Sequence, residues 1–174
     1  FTENAPFRRS SARVGAADDL AVLQRIAALP HASSVPRFIY IHLMSSHAAG
    51  FKHPEYEKFV PVGTFEEALV GGPESPALHA YINSYDNGIL QADDMVRRIF
   101  EALDAKGYLH DSLAIITSDH GEAFGEHVFL GHGFKLWQEN LHVPLIIYDT
   151  DMPSVGYELD GLVSLLDVAP TIMK

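Results

Sequence analysis

The chain contains no cysteine, which excludes disulfides, thiolate metal sites and cysteine nucleophiles together and leaves the compartment unreadable from redox chemistry. Basic residues are scarce: Lys and Arg number 12 against 23 Asp and Glu, for a formal net charge of -11. Without a basic cluster no nucleic-acid partner is expected, and the acidity reads as solvated surface. No apolar run approaches the roughly 18 residues that a membrane span needs, and the opening "FTENAPFRRSSARVG" lacks the apolar core of a signal peptide. No membrane contact by this segment itself is therefore expected. Internal repeats and low-complexity tracts are also missing.

What is present fits one globular domain. At 174 residues and 47% apolar content, a single domain over residues 1–174 is expected, with 1–16 irregular. The chain opens without Met and stops at "LLDVAPTIMK", inside what reads as the first turn of a helix begun by Pro170. Both ends read as cut, so a piece of a longer protein is expected. Ten histidines are many for this length. They gather around His42 to His53, His120 to His132 and His142, which invites a metal hypothesis.

Periodicity gives the elements. Leu20, Val22, Leu23, Ile26 and Leu29 have helical spacing ended by Pro30. "RFIYIHLM" reads as a buried strand over Phe38 to Leu43. Ser45 to about Pro76 is polar and holds Pro and Gly, with no regular structure expected. Leu78, Tyr81, Ile82, Tyr85, Ile89, Val96, Ile99, Phe100 and Leu103 then recur every three or four residues, which predicts one long amphipathic helix capped near Gly107. "SLAIITS" and "VPLIIYD" read as further buried strands and "LVSLL" as a short fourth. Strands separated by a long helix favour crossover connections, so the expected fold class is α/β, a mostly parallel sheet flanked by helices.

In open α/β sheets function sits beyond the carboxyl ends of strands. "HLMSSH" and "SDHGE" both fall there, so two loops remote in sequence are expected to face one crevice. Asp119 and His120 are the residue types that bind divalent ions, and Gly121 permits the bend that would let both reach one ion. The same pair also suits a turn or a helix cap. His132, between Gly131 and Gly133, suits either a ligand-facing loop or plain surface. Glu122, Glu126 and His127 read as caps or as supports behind the ligands. His42 reads as a core histidine, whereas His47, five residues later in the loop, is freer to act.

"ITSDHGEAFGEH" followed by "GHG", then "LWQENLHVPLIIY" and "LLDVAPTIM", resembles the sulfatase family of the alkaline phosphatase superfamily. "YIHLMSSH" and "SYDNGILQADDMVRRIFEAL" precede them in the family's order, so the resemblance runs from about Pro36 to Met173. It implies an alkaline-phosphatase-like fold, truncated here, with a metal centre at the strand ends. It implies Asp119 and His120 as metal ligands, His47 as the histidine at the transferred group or leaving oxygen, and His132 as the basic residue neutralising its charge. The implied cofactor is a divalent ion, calcium or zinc, with manganese also suited to Asp and His. The family's nucleophile block, "C/S-x-P-x-R" or a Thr in the transferase branch, has no counterpart here, nor do its N-terminal acidic ligands. "SSVPRF" is not that block, because Pro36 and Arg37 are adjacent.

The implied activity of the parent protein is metal-dependent hydrolysis of sulfate or phosphate esters of a small molecule, lipid or glycan, the fragment itself being inactive. "GEH", "HVPLII" and "LLDVAPTIM" lean to hydrolytic sulfatases. "SYDN" and His132 lean to phosphoethanolamine transferases, the nearest alternative branch. A non-catalytic metal-binding module is the other alternative. The implied location is extracytoplasmic or periplasmic, with an N-terminal membrane segment outside this chain as tether.

Overall fold

A computed structural model describes residues 18–152, 156 and 158–173. The expected irregular segment 1–16 lies outside the described residues.

The organising element is a 29-residue helix, Pro76–Asp104, about 43 Å long at 1.5 Å per residue. It is numbered α3 after α1, Leu20–Ala27, and α2, Phe65–Gly71. Ser75 caps α3 by accepting from the Leu78 N–H at 3.0 Å, and Pro76 sits in the first turn where no N–H is needed. At the far end Gly107 takes the left-handed conformation, with Gly107 N–H to Asp104 O and Tyr108 N–H to Leu103 O closing a Schellman-type cap, as the sequence predicts.

Two apolar clusters pack along this helix. Met95, Ile99 and Leu103 bury against Ile26 of α1. Leu78 and Tyr81 bury against Ala68 of α2, with Phe65, Ile82, Phe124 and Leu130 at the margin. The 45–76 segment, expected to be irregular, thus contains α2. Its signal is Thr64 and Glu67, which form a reciprocal capping box, Thr64 Oγ accepting from Glu67 N–H and Glu67 accepting from Thr64 N–H.

The sheet differs from expectation. β1, Leu113–Thr117, pairs antiparallel with β4, Leu145–Asp149; β2, Ala123–Phe124, pairs antiparallel with β3, Leu130–Gly131. Among the described residues both ladders are antiparallel, and the expected parallel arrangement is not present. The physical reason lies in the connection from β1 to β4. It carries the β2–β3 hairpin and a one-turn helix, α4, Gln138–Leu141, rather than a crossover helix, so the chain returns against β1.

Phe38 to Leu43 joins no ladder among the described residues, and Phe38 and Tyr40 are each 76% exposed. His42 is likewise exposed, not a core histidine. "LVSLL" forms no strand. Ser164 and Asp167 build a second capping box over a 3-10 turn, Leu165–Asp167, which runs into α5, Val168–Ile172. The last helix thus starts two residues before Pro170.

Met95 is fully buried between α1 and α3. Met95→Ala is expected to lower the unfolding free energy by about 2–5 kcal/mol, read as a lower urea midpoint at unchanged slope.

Candidate functional site

Two of the candidate histidines, His47 and His120, owe their orientation to backbone close by. Met44 O accepts from His47 N–H at 3.0 Å and His47 O accepts from Gly50 N–H at 2.9 Å, so the chain turns tightly just after Leu43. Within this turn the Ala49 N–H donates to His47 Nδ1 at 3.0 Å. A ring whose Nδ1 accepts carries its neutral-state proton on Nε2.

On the other side, β1 ends at Thr117 and Gly121 abuts α4. Gly121 N–H donates to Asn140 O at 2.9 Å, and a Cβ at position 121 would stand 2.1 Å from Glu139 O. Only glycine permits that approach. His120 Nδ1 lies 2.9 Å from Gly121 O, so Nδ1–H donates and Nε2 keeps its lone pair. Asp119, exposed, brings Oδ1 to 3.8 Å from that Nε2. His132, just past β3, sets Nδ1 at 2.9 Å from Oε2 of Glu122, just before β2.

The structure brings three of the four predicted residues into ring contact. His120 stacks on His132 with centroids 4.0 Å apart and planes 25° apart. His47 meets His132 edge-on at 5.6 Å. His47 is separated from His132 by 85 residues of sequence, so the two expected loops do meet. Asp119 joins through its neighbour His120.

Glu122 is the further residue of the cluster, with only 10% of its side chain exposed. Sequence reading leaves its partner open, because the β2–β3 hairpin that folds it onto His132 is only two residues per strand. Glu126 serves its own turn, accepting from Phe124 N–H. His127 turns away from the cluster, pairing with Glu139 at 2.7 Å and stacking on Trp137 at 4.6 Å.

The field inside the cluster is legible in one group. Burial depresses the His47 pKa below the ordinary histidine value, and the His132, His120 and Lys52 charges push the same way, while Glu122 opposes them. Burial also raises Tyr85, with Glu122 adding to it. Tyr85 packs on Phe124 at 4.9 Å and so backs the same hairpin.

The donor set fits a divalent ion in two positions. The lone pair of His120 Nε2 and the Asp119 carboxylate, 3.8 Å apart, have the spacing of two ligand atoms on one ion with bonds of about 2.0–2.5 Å. Among the described residues no group of three or more His, Asp or Glu converges in ligating geometry. The pair therefore fits part of a coordination shell.

The family model Sulfatase matches residues 2–174. The chain belongs to the sulfatase family. It is 38% identical over 93 residues, 52% of this chain and 18% of the relative, to the multifunctional alkaline phosphatase superfamily protein PehA of Trinickia caryophylli. It is 32% identical over 84 residues to arylsulfatase K of Xenopus laevis, covering 48% of this chain and 15% of that one. It is 30% identical over 141 residues to the phosphatidylethanolamine transferase Mcr-1 of Escherichia coli, covering 78% and 26%. This sulfatase-family chain thus spans between 15% and 26% of the length of these relatives. Hydrolytic and transferring relatives both stand among them.

A histidine with depressed folded pKa leaves the unfolded state binding more protons just below pH 6.5. Its contribution to stability is present above that value and is lost as pH falls through the folded pKa. NMR titration is expected to place His47 below 6.5. Glu122→Gln is expected to move it lower still, because the one opposing charge is removed.

Proposed function

We propose that this chain supplies part of the metal-ligating and group-binding machinery of an enzyme that moves a sulfuryl or phosphoryl group from an ester to water. The observation that carries this reading is the convergence of His47, His120 and His132 from two remote loops, in a chain of the sulfatase family. Asp119 and His120 would hold a divalent ion, calcium or zinc, with manganese also suited to the donors. When bound, such an ion supplies Lewis-acid stabilisation of charge on the transferred group.

The remaining roles belong to side chains. In an in-line displacement the bond from the attacking oxygen to sulfur or phosphorus forms as the bond to the leaving oxygen breaks, and charge develops on the leaving oxygen, which water finally protonates. His47 suits the stabilisation of that charge. Neutral near pH 7, with Nδ1 occupied by the Ala49 N–H, it presents Nε2–H as a hydrogen-bond donor to that oxygen and keeps its own proton. His132, held at Nδ1 by Glu122, has Nε2 for an oxygen of the transferred group. The attacking group is none of these four residues. By resemblance it belongs to a segment outside this chain.

Hydrolysis is favoured by the "GEH" and "HVPLII" segments. Transfer of phosphoethanolamine to a lipid or glycan is the second reading, favoured by "SYDN" and by His132 through the resemblance, and by the likeness to Mcr-1. The substrate would be a small-molecule, lipid or glycan ester. No described helix is long and apolar enough to cross a membrane. An extracytoplasmic or periplasmic location, with any tether outside this chain, accompanies either reading.

The 174 residues by themselves are expected to give no turnover of aryl sulfates or phosphodiesters; robust turnover would refute the division of labour. In the full-length protein, Asp119→Asn and His120→Ala are each expected to weaken zinc or calcium binding by about 100-fold or more, given that even residues behind a ligand are worth roughly 10–100-fold. Calorimetric titration reads this directly, and unchanged affinity in both variants would sink the metal assignment.

A further inference from the structure

The turn that presents His47 is fastened at its base by buried side chains whose purpose the proposed reaction does not by itself explain. Asp19 opens α1, where an acidic residue ordinarily accepts from its own helix. It makes no such cap; Asp18 accepts from the Leu20 N–H instead, at 3.0 Å. The Asp19 carboxylate, in a residue only 2% exposed, reaches across to the turn. Oδ1 accepts from Met44 N–H at 2.8 Å, and Oδ2 accepts from Ser45 N–H at 2.8 Å and from the Ser45 hydroxyl.

Gln91, 1% exposed in the middle of α3, completes the clamp. Its amide donates to Ser45 Oγ and to Phe51 O, each at 2.9 Å, and its carbonyl accepts from His53 N–H at 2.8 Å. One helical turn earlier, Gly88 lets α3 approach so closely that a Cβ there would stand 2.3 Å from Ser45 O. Lys52 ties the turn's other rim, donating to His47 O at 2.9 Å.

We propose that Asp19 and Gln91 are positioning residues for His47: together they fix both ends of the 44–53 turn from two different helices, and so set where the His47 imidazole stands against His132. Burying a carboxylate and an amide is costly unless every polar atom finds a partner. Here the partners are backbone groups of the turn and the Ser45 hydroxyl that belongs to it, so the interaction specifies the course of the backbone. A hydrophobic contact of similar area would hold the turn down without fixing its register, because apolar burial is non-directional.

This inference rests on the proposed role of His47 as donor to the leaving oxygen, and leaving-group dependence separates the two. The substrates are the 4-nitrophenyl and phenyl esters of sulfate, or of phosphate if those are the ones turned over, with the full-length enzyme. A departing 4-nitrophenolate delocalises its charge and gains little from a hydrogen-bond donor, whereas a departing phenolate keeps more charge on oxygen and gains more. His47→Ala is expected to lower kcat about 100-fold or more for the phenyl ester, within the range for removing one donor to a developing oxyanion, and by less than about 5-fold for the nitrophenyl ester, with KM little changed in both. Absence of that contrast in His47→Ala overturns the role of His47 itself.

Given the contrast, Asp19→Asn and Gln91→Leu are expected to show the same pattern at roughly 10-fold or more on the phenyl ester, and no further loss when combined with His47→Ala. Equal losses on both esters, or losses additive with His47→Ala, overturn the positioning role and leave His47 in place. Ser45→Ala, which removes the hydroxyl shared by Asp19 and Gln91, provides a milder variant should the others fail to fold. Its expected result is the same selective loss, and equal kcat on both esters relative to wild type counts against the proposal.

Discussion

The geometry depends on one face of one helix. Tyr81, Tyr85, Gly88, Gln91 and Met95 follow one another at spacings of three and four along α3, so they form a single stripe. Tyr81 and Tyr85 pack on Phe124 and hold the hairpin that bears Glu122 and leads to His132. Gly88 and Gln91 hold the turn that bears His47. The positions that grip the two loops, 85 and 88, are three residues apart, a rise of about 4.5 Å along the axis. That short separation is why two loops remote in sequence meet at ring-contact distance.

The grips differ in kind. The hairpin is held by aromatic packing, where Tyr85 and Phe124 meet edge-to-face at 4.9 Å and 67°, a geometry that orients as well as buries. The turn is held by a side-chain amide and a carboxylate bonded to backbone. Asn87, 1% exposed, extends the same device along the loop by accepting from Lys58 N–H and Phe59 N–H and donating to Phe59 O. An irregular segment of this length carries many backbone groups that no ladder satisfies. Polar side chains on α3 supply the partners, which lets the loop lie against a helix instead of over solvent.

This explains where the sequence is legible and where it is not. The apolar recurrence locates α3, and Gly107 marks its C-terminal cap because it acts locally; the N-terminal cap at Ser75 and Pro76 emerges only in the structure. In the middle of the helix the same reading places Ile89 on the apolar stripe, yet Ile89 is 44% exposed while Asn87, Gly88 and Gln91 are buried. A pattern rule that equates buried with apolar fails where the buried residues are polar and satisfied by a remote loop. The end of β1 and the histidine beyond it are legible because Asp119, His120 and Gly121 are consecutive, whereas the strand expected over Phe38 to Leu43, ahead of His47, joins no ladder among the described residues. Strand direction is not legible, since apolar runs such as "SLAIITS" and "VPLIIYD" are alike in parallel and antiparallel ladders. The hairpin and α4 between them decide it, and each is too short to leave a periodic trace.

The three imidazoles are chemically distinct although their residue type is the same. Nδ1 of His47 accepts from a backbone N–H, Nδ1 of His120 donates to a backbone carbonyl, and Nδ1 of His132 faces a carboxylate. In the neutral state the first ring offers a proton at Nε2, the second a lone pair, and the third a nitrogen whose ring orientation is fixed by an acid. In the proposed reaction the three would serve as hydrogen-bond donor to the leaving oxygen, cation ligand and group-binding imidazole. That division of labour would belong to the turn at Met44–Gly50, the bend at Ser118–Gly121 and the Glu122 carboxylate as much as to the histidines themselves. A histidine transplanted without its turn would bring the ring but not the proton state.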